Sequence, residues 1–82
     1  MTSEPAARDT LQESGQLTVT LNGEERRFPA GLSVAGLLVE LGVAKFGVAV
    51  ERNRLVVRRA DHDSTLVIDG DMIEIVQFVG GG

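Results

Sequence analysis

The chain has no cysteine, no tryptophan and no tyrosine, and only one histidine among its 82 residues. Without cysteine it can form no disulfide, no thiolate nucleophile and no cysteine-ligated metal site. His62 alone cannot build a zinc site or a Ser-His-Asp triad, and we expect it to be a surface residue of a polar loop. We therefore predict no catalytic residues and no metal site.

The chain also lacks an excess of positive charge and any long apolar run. Eight basic residues stand against twelve acidic ones, a net charge of −4, whereas a nucleic-acid interface needs a clustered basic face. No apolar run could span a bilayer, and the N-terminus, with Glu4 and Asp9, has no apolar segment of a secretory signal. We expect a cytoplasmic protein with no nucleic-acid or membrane partner.

Hydrophobic residues make up 43% of the chain but aromatic residues only 4%, so an aliphatic core is expected. The length allows one small domain, which we place at residues 16–79. Residues 1–15 are polar without a sustained period and predict a disordered N-terminal extension. Residues 80–82 are glycines and predict a flexible tail, slim because glycine has no Cβ.

The domain begins with a hairpin pattern. Residues 17–21 alternate between apolar and threonine side chains, which predicts a half-buried strand. Asn22 and Gly23 both tolerate a positive φ and predict a tight turn. The charged residues 24–28 are then the returning strand, at an edge of the sheet.

One helix is predicted next, over residues 34–41. Its apolar residues lie three and four positions apart and form a single stripe: Val34, Leu37, Leu38 and Leu41. Ser33 occupies the N-cap position, and Gly42 suits the residue that follows the last turn. Gly36 inside the helix costs up to about 1 kcal/mol relative to alanine, and a close approach of helix to sheet would explain it.

The second half of the chain is predicted to form shorter strands and turns. Strands are predicted at residues 47–51, 55–57 and 72–78, with a further short strand allowed at 65–68 and polar turns between them. A helix with one apolar stripe must cover one face of the sheet. We predict an α+β fold of the β-grasp, ubiquitin-like plan: a mixed four- to five-stranded sheet, one main helix across one face, and the first and last strands adjacent at its centre.

Several segments together resemble a known family. They are the strand order, the hairpin Leu21-Asn22-Gly23, the run Val48-Ala49-Val50-Glu51-Arg52-Asn53, and the block from Asp69 through Ile73-Glu74-Ile75-Val76-Gln77-Phe78-Val79 to Gly82. The chain resembles the ThiS family, the sulfur carriers of thiamine thiazole biosynthesis, over residues 17–82. The specific feature is a double glycine that ends the chain directly after the last strand.

The resemblance implies a function for the tail. In this family an E1-like adenylyltransferase uses ATP and magnesium to join the terminal carboxylate to AMP. A sulfur donor, commonly a cysteine desulfurase, then replaces AMP and leaves a thiocarboxylate that donates sulfur to thiazole synthase. By this likeness Gly82 carries the sulfur, Gly80 and Gly81 keep the approach narrow, and the chain is a co-substrate that binds no cofactor and is not an enzyme.

The last strand also suggests a docking patch. If Ile73 and Ile75 face the helix, period two places Glu74, Val76 and Phe78 on the open face. Val76 and Phe78 are then candidates for partner docking beside the tail. The alternative is that Phe78 folds back onto the edge of the domain.

Other interpretations are open from the sequence. The acidic residues Asp69, Asp71 and Glu74 could suggest a metal, but acidic turn residues are typical of turn chemistry, and we predict no metal site. The small subunit of molybdopterin synthase resembles this fold and tail, although a Pro-Pro-Val segment tends to stand where this chain has Gln77-Phe78-Val79. A ubiquitin-like modifier joined to lysines through Gly82 and an interaction module with an inert tail are the remaining alternatives.

Overall fold

The computed structural model describes residues 15–44 and 46–78. The predicted N-terminal extension, apart from Gly15, and the predicted glycine tail lie outside these residues. The elements in chain order are β1 (Gln16–Leu21), β2 (Glu24–Pro29), α1 (Val34–Leu41), β3 (Val48–Arg52), β4 (Leu55–Val57), a 3₁₀ turn (Arg59–Asp61) and β5 (Met72–Gln77).

The five strands form one mixed sheet in the order β2-β1-β5-β3-β4. β1 and β5 run parallel at its centre, and the other neighbouring pairs are antiparallel. The α+β β-grasp prediction is confirmed, including the central placement of the first and last strands. Because β5 has a neighbour on each side, its backbone is held along its length, and its alternating side chains have fixed faces.

Residues 65–68 form no strand. Leu66 makes one isolated bridge with Ser33. Around it, the Val34 amide donates to the Thr65 carbonyl at 2.8 Å, and the Val67 amide donates to the Leu32 carbonyl at 2.9 Å. The segment therefore pairs with the chain that leads into α1 rather than with the sheet.

The core lies between α1 and one face of the sheet and is aliphatic except for Phe28. Its buried members are Leu17, Val19, Leu21, Phe28, Val34, Leu37, Leu38, Val50, Val67 and Ile73. The predicted helix stripe is confirmed, with Leu41 packed at the margin of the core. We call the face covered by α1 the helix face and the opposite one the open face.

Both ends of α1 are capped as the sequence predicts. The Ser33 hydroxyl accepts a hydrogen bond from the Gly36 amide at 3.0 Å. Gly42 has φ 70°, and its amide donates to the Val39 carbonyl at 3.0 Å, a turn that favours glycine.

Gly36 is tight against Leu32 rather than against the sheet. A Cβ at position 36 would lie 3.1 Å from Leu32 Cδ2. The close approach expected at this glycine therefore exists, but its partner is the loop that enters the helix. No helix within residues 15–44 and 46–78 is long and apolar enough to cross a membrane.

Candidate functional site

The open face of β5 exposes the two residues predicted to dock a partner. Ile73 is fully buried and Ile75 packs against the core. Val76 and Phe78, by contrast, are 54% and 62% exposed. The predicted alternation is confirmed, and most of the Phe78 side chain is exposed. The docking role of these two side chains stays a prediction.

Strands β3 and β4 extend this surface sideways. Ala49 lies opposite Val76 in the antiparallel register of β3 and β5. Val56 on β4 lies on the same face and is 67% exposed. We call Ala49, Val56, Val76 and Phe78 the open-face patch. It is an apolar surface without cover from any other described element.

The patch lies where the chain leaves the sheet. The Phe78 amide donates to the Gly47 carbonyl at 2.7 Å, so pairing with the β3 side continues one residue beyond β5. Gly47 has φ 75°, a backbone conformation that glycine adopts without strain. The residues predicted to form the functional tail, Gly80, Gly81 and Gly82, follow and lie outside the described part of the chain.

The start of β5 is fixed by a buried carboxylate. Asp71 is only 5% exposed. Its Oδ2 accepts hydrogen bonds from Arg52 Nε and the Ile68 amide, both at 2.7 Å, and its Oδ1 accepts one from Asn53 Nδ2 at 3.0 Å. These bonds join the turn before β5 to the turn between β3 and β4.

Opposing influences set the pKa of Asp71. Burial is the largest single influence and acts to raise the pKa, because it disfavours the charged form. The hydrogen bonds from Arg52, Ile68 and Asn53, together with the Arg52 charge, outweigh burial and hold the pKa of this carboxyl below its usual value. Asp71 is therefore an ionised structural anchor.

Two asparagine side chains complete the pairing of β5. Asn53 Oδ1 accepts from the Met72 amide at 2.9 Å. Asn22 Oδ1 accepts from the Ile75 amide at 2.8 Å, and its Nδ2 donates to the Ile75 carbonyl at 3.3 Å. The Asn22 amide group thus replaces a peptide unit of β1. The sequence predicts both asparagines as turn residues, but it carries no signal for these contacts 53 and 19 positions away.

The acidic residues weighed for a metal have other partners. Asp69 Oδ1 accepts from the Thr18 amide at 2.7 Å, and Asp71 is engaged as described. Glu74 lies apart from them on the open face. Within residues 15–44 and 46–78 no group of three or more His, Asp or Glu side chains is placed to hold a metal ion.

The expectation that His62 is a surface residue is wrong. His62 is 6% exposed, and its Nε2 lies 3.0 Å from the Val57 carbonyl oxygen, so this nitrogen carries the proton. The His62 carbonyl accepts from the Ala35 amide at 2.9 Å. The residue ties β4 to the start of α1, a long-range role that a lone histidine in a polar stretch does not reveal.

His62 borders a shallow cavity of about 210 Å³ on the helix face, between α1 and the 3₁₀ turn. Its walls also include Leu38, Val39 and Arg59. Both buried ionisable side chains of the described chain, His62 and Asp71, bond to their own fold. The open face instead exposes apolar side chains, Val76 and Phe78 among them, at the end of β5.

Comparison with known proteins finds a matching family and solved structures that are similar to this chain. The model of the ThiS family matches residues 19–82. A crystal structure of the thiamine biosynthesis protein ThiS from Geobacter metallireducens is 40% identical, with a TM-score of 0.66, over 80% of this chain and 100% of that one. A solution structure of a thiamine biosynthesis protein from the same organism is 39% identical, with a TM-score of 0.68, over 80% of this chain and 88% of that one.

Longer proteins also contain a segment similar to this chain. A thiazole synthase of Paramagnetospirillum magneticum is 48% identical over 66 residues, and a thiazole synthase of Magnetococcus marinus is 44% identical over 66 residues. Each alignment covers 80% of this chain but only 20% of the relative. The chain thus spans one fifth of the length of the curated relatives that it matches.

Proposed function

The chain belongs to the ThiS family, and we propose that it is a sulfur carrier of thiamine biosynthesis, with Gly82 as the sulfur-bearing residue. One observation carries the proposal: the family match runs from Val19, within β1, to Gly82. The solved relatives, which share the fold at 40% and 39% identity, are named for thiamine biosynthesis. A cytoplasmic location is part of the proposal.

The chemistry follows from what a carboxylate cannot do. A carboxylate is anionic and has no leaving group, so sulfur cannot replace its oxygen directly. An E1-like adenylyltransferase, with ATP and magnesium, joins the Gly82 carboxylate to AMP and releases pyrophosphate. The persulfide of a sulfur donor such as a cysteine desulfurase then displaces AMP and forms an acyl disulfide with Gly82. A thiol reduces this disulfide, which releases the thiocarboxylate and leaves the donor cysteine in a disulfide with that thiol. Transition-state stabilisation comes from the partner enzymes, so the carrier itself supplies a reachable terminus and a docking surface.

The partner that receives the sulfur is thiazole synthase. The support is that proteins with this name contain a segment 48% and 44% identical to the chain. A carrier and an acceptor that act together gain from being joined, because a linked partner is present at high effective concentration. Val76 and Phe78 are positioned to contact such a protein while the tail reaches its active site.

Mass spectrometry of the intact protein tests this function. We expect the purified chain, given ATP, magnesium, its adenylyltransferase and a sulfur donor, to gain the mass of one sulfur-for-oxygen exchange, located on Gly82 by fragmentation. The control omits ATP and gains nothing. Sulfur on another residue would refute the carrier role, and isopeptide conjugates to lysine in cells would favour a ubiquitin-like modifier instead.

A further inference from the structure

Two carboxylates of the same sign face each other on the open face. Glu51 of β3 and Glu74 of β5 are direct partners in the antiparallel register, and we call them the glutamate pair. Side chains in such positions have Cβ atoms about 4.5–5.5 Å apart, and like charges there destabilise a sheet. Within residues 15–44 and 46–78, the ion pair formed is Arg52 with Asp71, and neither glutamate has a cationic partner.

Apolar side chains flank the glutamate pair on two sides. Ala49 and Val76 form the next row toward the tail, and Val56 lies directly beside Glu51. A protein that covers the open-face patch must also cover these carboxylates. Burying a carboxylate without a partner is costly, so a surface that fits this face has to supply a cation at the glutamate pair. Arginine suits the site best, because its planar guanidinium can bond two carboxylates at once.

One member of the glutamate pair, Glu74, lies on the strand that leads to the proposed tail. Glu74 precedes Phe78 by four residues of extended chain, about 13 Å at 3.3 Å per residue. The tail proposed to enter a partner's active site starts at Gly80, two residues after Phe78. A protein that holds Gly82 must therefore approach this end of the sheet, where the open-face patch and the glutamate pair are exposed.

We propose that the open face docks on thiazole synthase, which covers the open-face patch and places an arginine or lysine between Glu51 and Glu74. The inference rests on the proposed function and adds the chemistry of the interface to it. Thiazole synthase is the chosen occupant because two proteins of that name hold a segment like this chain, which makes up one fifth of their length. The cation relieves a repulsion that the free carrier tolerates.

The test measures binding rather than sulfur transfer. Thiazole synthase encoded in the same genome is titrated with the parent chain, with Glu51→Gln, with Glu74→Gln and with the double variant. We expect the double variant to bind about tenfold more weakly, the loss typical of a charge-assisted contact. Affinity of the parent should fall with added salt, and that of the double variant should fall less.

The matched control is Glu25→Gln. Glu25 lies opposite Thr20 on the same face but on the edge strand β2, two strands away from β5. This variant removes the same charge and should bind like the parent. Val76→Asp probes the apolar part of the surface. It should fold normally, because Val76 is 54% exposed, and it should also bind more weakly.

Glu74→Lys separates a docking role from a structural one. A lysine at position 74 faces Glu51 and replaces a repulsive cross-strand pair by an attractive one. The variant should therefore melt at a higher temperature than the parent while it loses affinity for thiazole synthase. A residue that acted only on folding would not improve stability and weaken binding together.

Three results would overturn the inference. Parent-like affinity of the double variant for thiazole synthase would remove the glutamate pair from the interface while leaving the proposed function intact. Binding of the same variants to the adenylyltransferase is measured in parallel. If the double variant loses affinity only for that enzyme, the glutamate pair belongs to the adenylyltransferase interface and the assignment to thiazole synthase is wrong. Failure of the parent chain to bind either protein would refute the proposed function and this interface with it.

Discussion

Asp71 is a buried carboxylate directly before β5. Its carboxylate accepts from Arg52, Asn53 and the Ile68 amide, so two turns that are distant in sequence share one anchor. A group whose pKa is lower in the folded than in the unfolded state stabilises the fold above its unfolded pKa. That contribution is lost as the pH falls through the folded pKa.

Asp71→Asn tests this anchor. At pH 7 we expect a loss of about 1–3 kcal/mol, because the amide cannot satisfy the buried donors as the carboxylate does. The difference from the parent should shrink as the pH falls below about 3.9, the usual pKa of aspartate, because protonation removes the same charge from the parent. Urea unfolding at several pH values measures it. Asp63→Asn, at an exposed position, is the control, and a pH-independent difference would contradict the explanation.

Residue-level prediction from the sequence succeeds where the chemistry is local. Asn22-Gly23, Ser33 and Gly42 act through neighbours within a few positions, and each takes its predicted place as turn or cap. Asp71 and His62 act through partners that chain topology brings near. The sequence predicts Asp71 as a turn residue and His62 as a surface residue. Nothing in their local pattern indicates that Asp71 pairs with Arg52 or that His62 bonds the Val57 carbonyl.

At the scale of elements, α1 closes the core with one side only. Leu37 and Leu38 are buried, while the next residue, Val39, is 77% exposed. The helix has only eight residues, and a helix that short depends on tertiary packing rather than on intrinsic propensity. The apolar stripe of α1 was predictable because its apolar residues recur in the sequence with the 3.6-residue period of a helix. The close contact between Gly36 and Leu32 was not predictable, because a glycine within a helix does not indicate which residue packs against it.

Leu38→Ala measures the contribution of that packing. Leu38 is 4% exposed, and truncation of a buried leucine typically costs about 2–5 kcal/mol. Small domains have little stability to lose, so the variant should be close to unfolded. Val39→Ala removes an exposed side chain from the same helix and should leave the melting curve almost unchanged. Equal melting curves for Leu38→Ala and the parent would show that the helix face is assigned wrongly.

At the scale of the whole domain, the described residues hold β5 in place at several points along its length. Turns anchored by Asp71, Asn53 and Asn22 fix both the beginning and the middle of β5, and the Phe78 amide bonds to Gly47 at its end. The order of elements was predictable, since each strand and the helix carry their own periodicity. The position of Glu51 directly opposite Glu74 was not predictable, because it depends on the register in which β3 and β5 pair.

A fixed frame makes the length of the tail a critical quantity. If Gly82 carries the sulfur, its carboxylate must reach the phosphorus of ATP in the adenylyltransferase while the domain is docked. Deletion of Gly82 would leave a carboxylate on Gly81 about 3.3–3.6 Å short of that point. Addition of one glycine after Gly82 would misplace the carboxylate in the other direction. A displacement of about 1 Å can already cost a hundredfold in rate where positioning supplies the catalysis.

We therefore expect both length variants to form thiocarboxylate at least about a hundredfold more slowly than the parent. Neither change touches the core, so both should melt like the parent, which separates a defect in reach from a defect in folding. Binding to the adenylyltransferase should also persist, because the folded domain is unaltered. Intact-protein mass spectrometry of the three proteins over time measures the rates. Sulfur gain by the extended chain at the parental rate would show that reach does not matter, and it would move the modifier or the inert module ahead of the carrier.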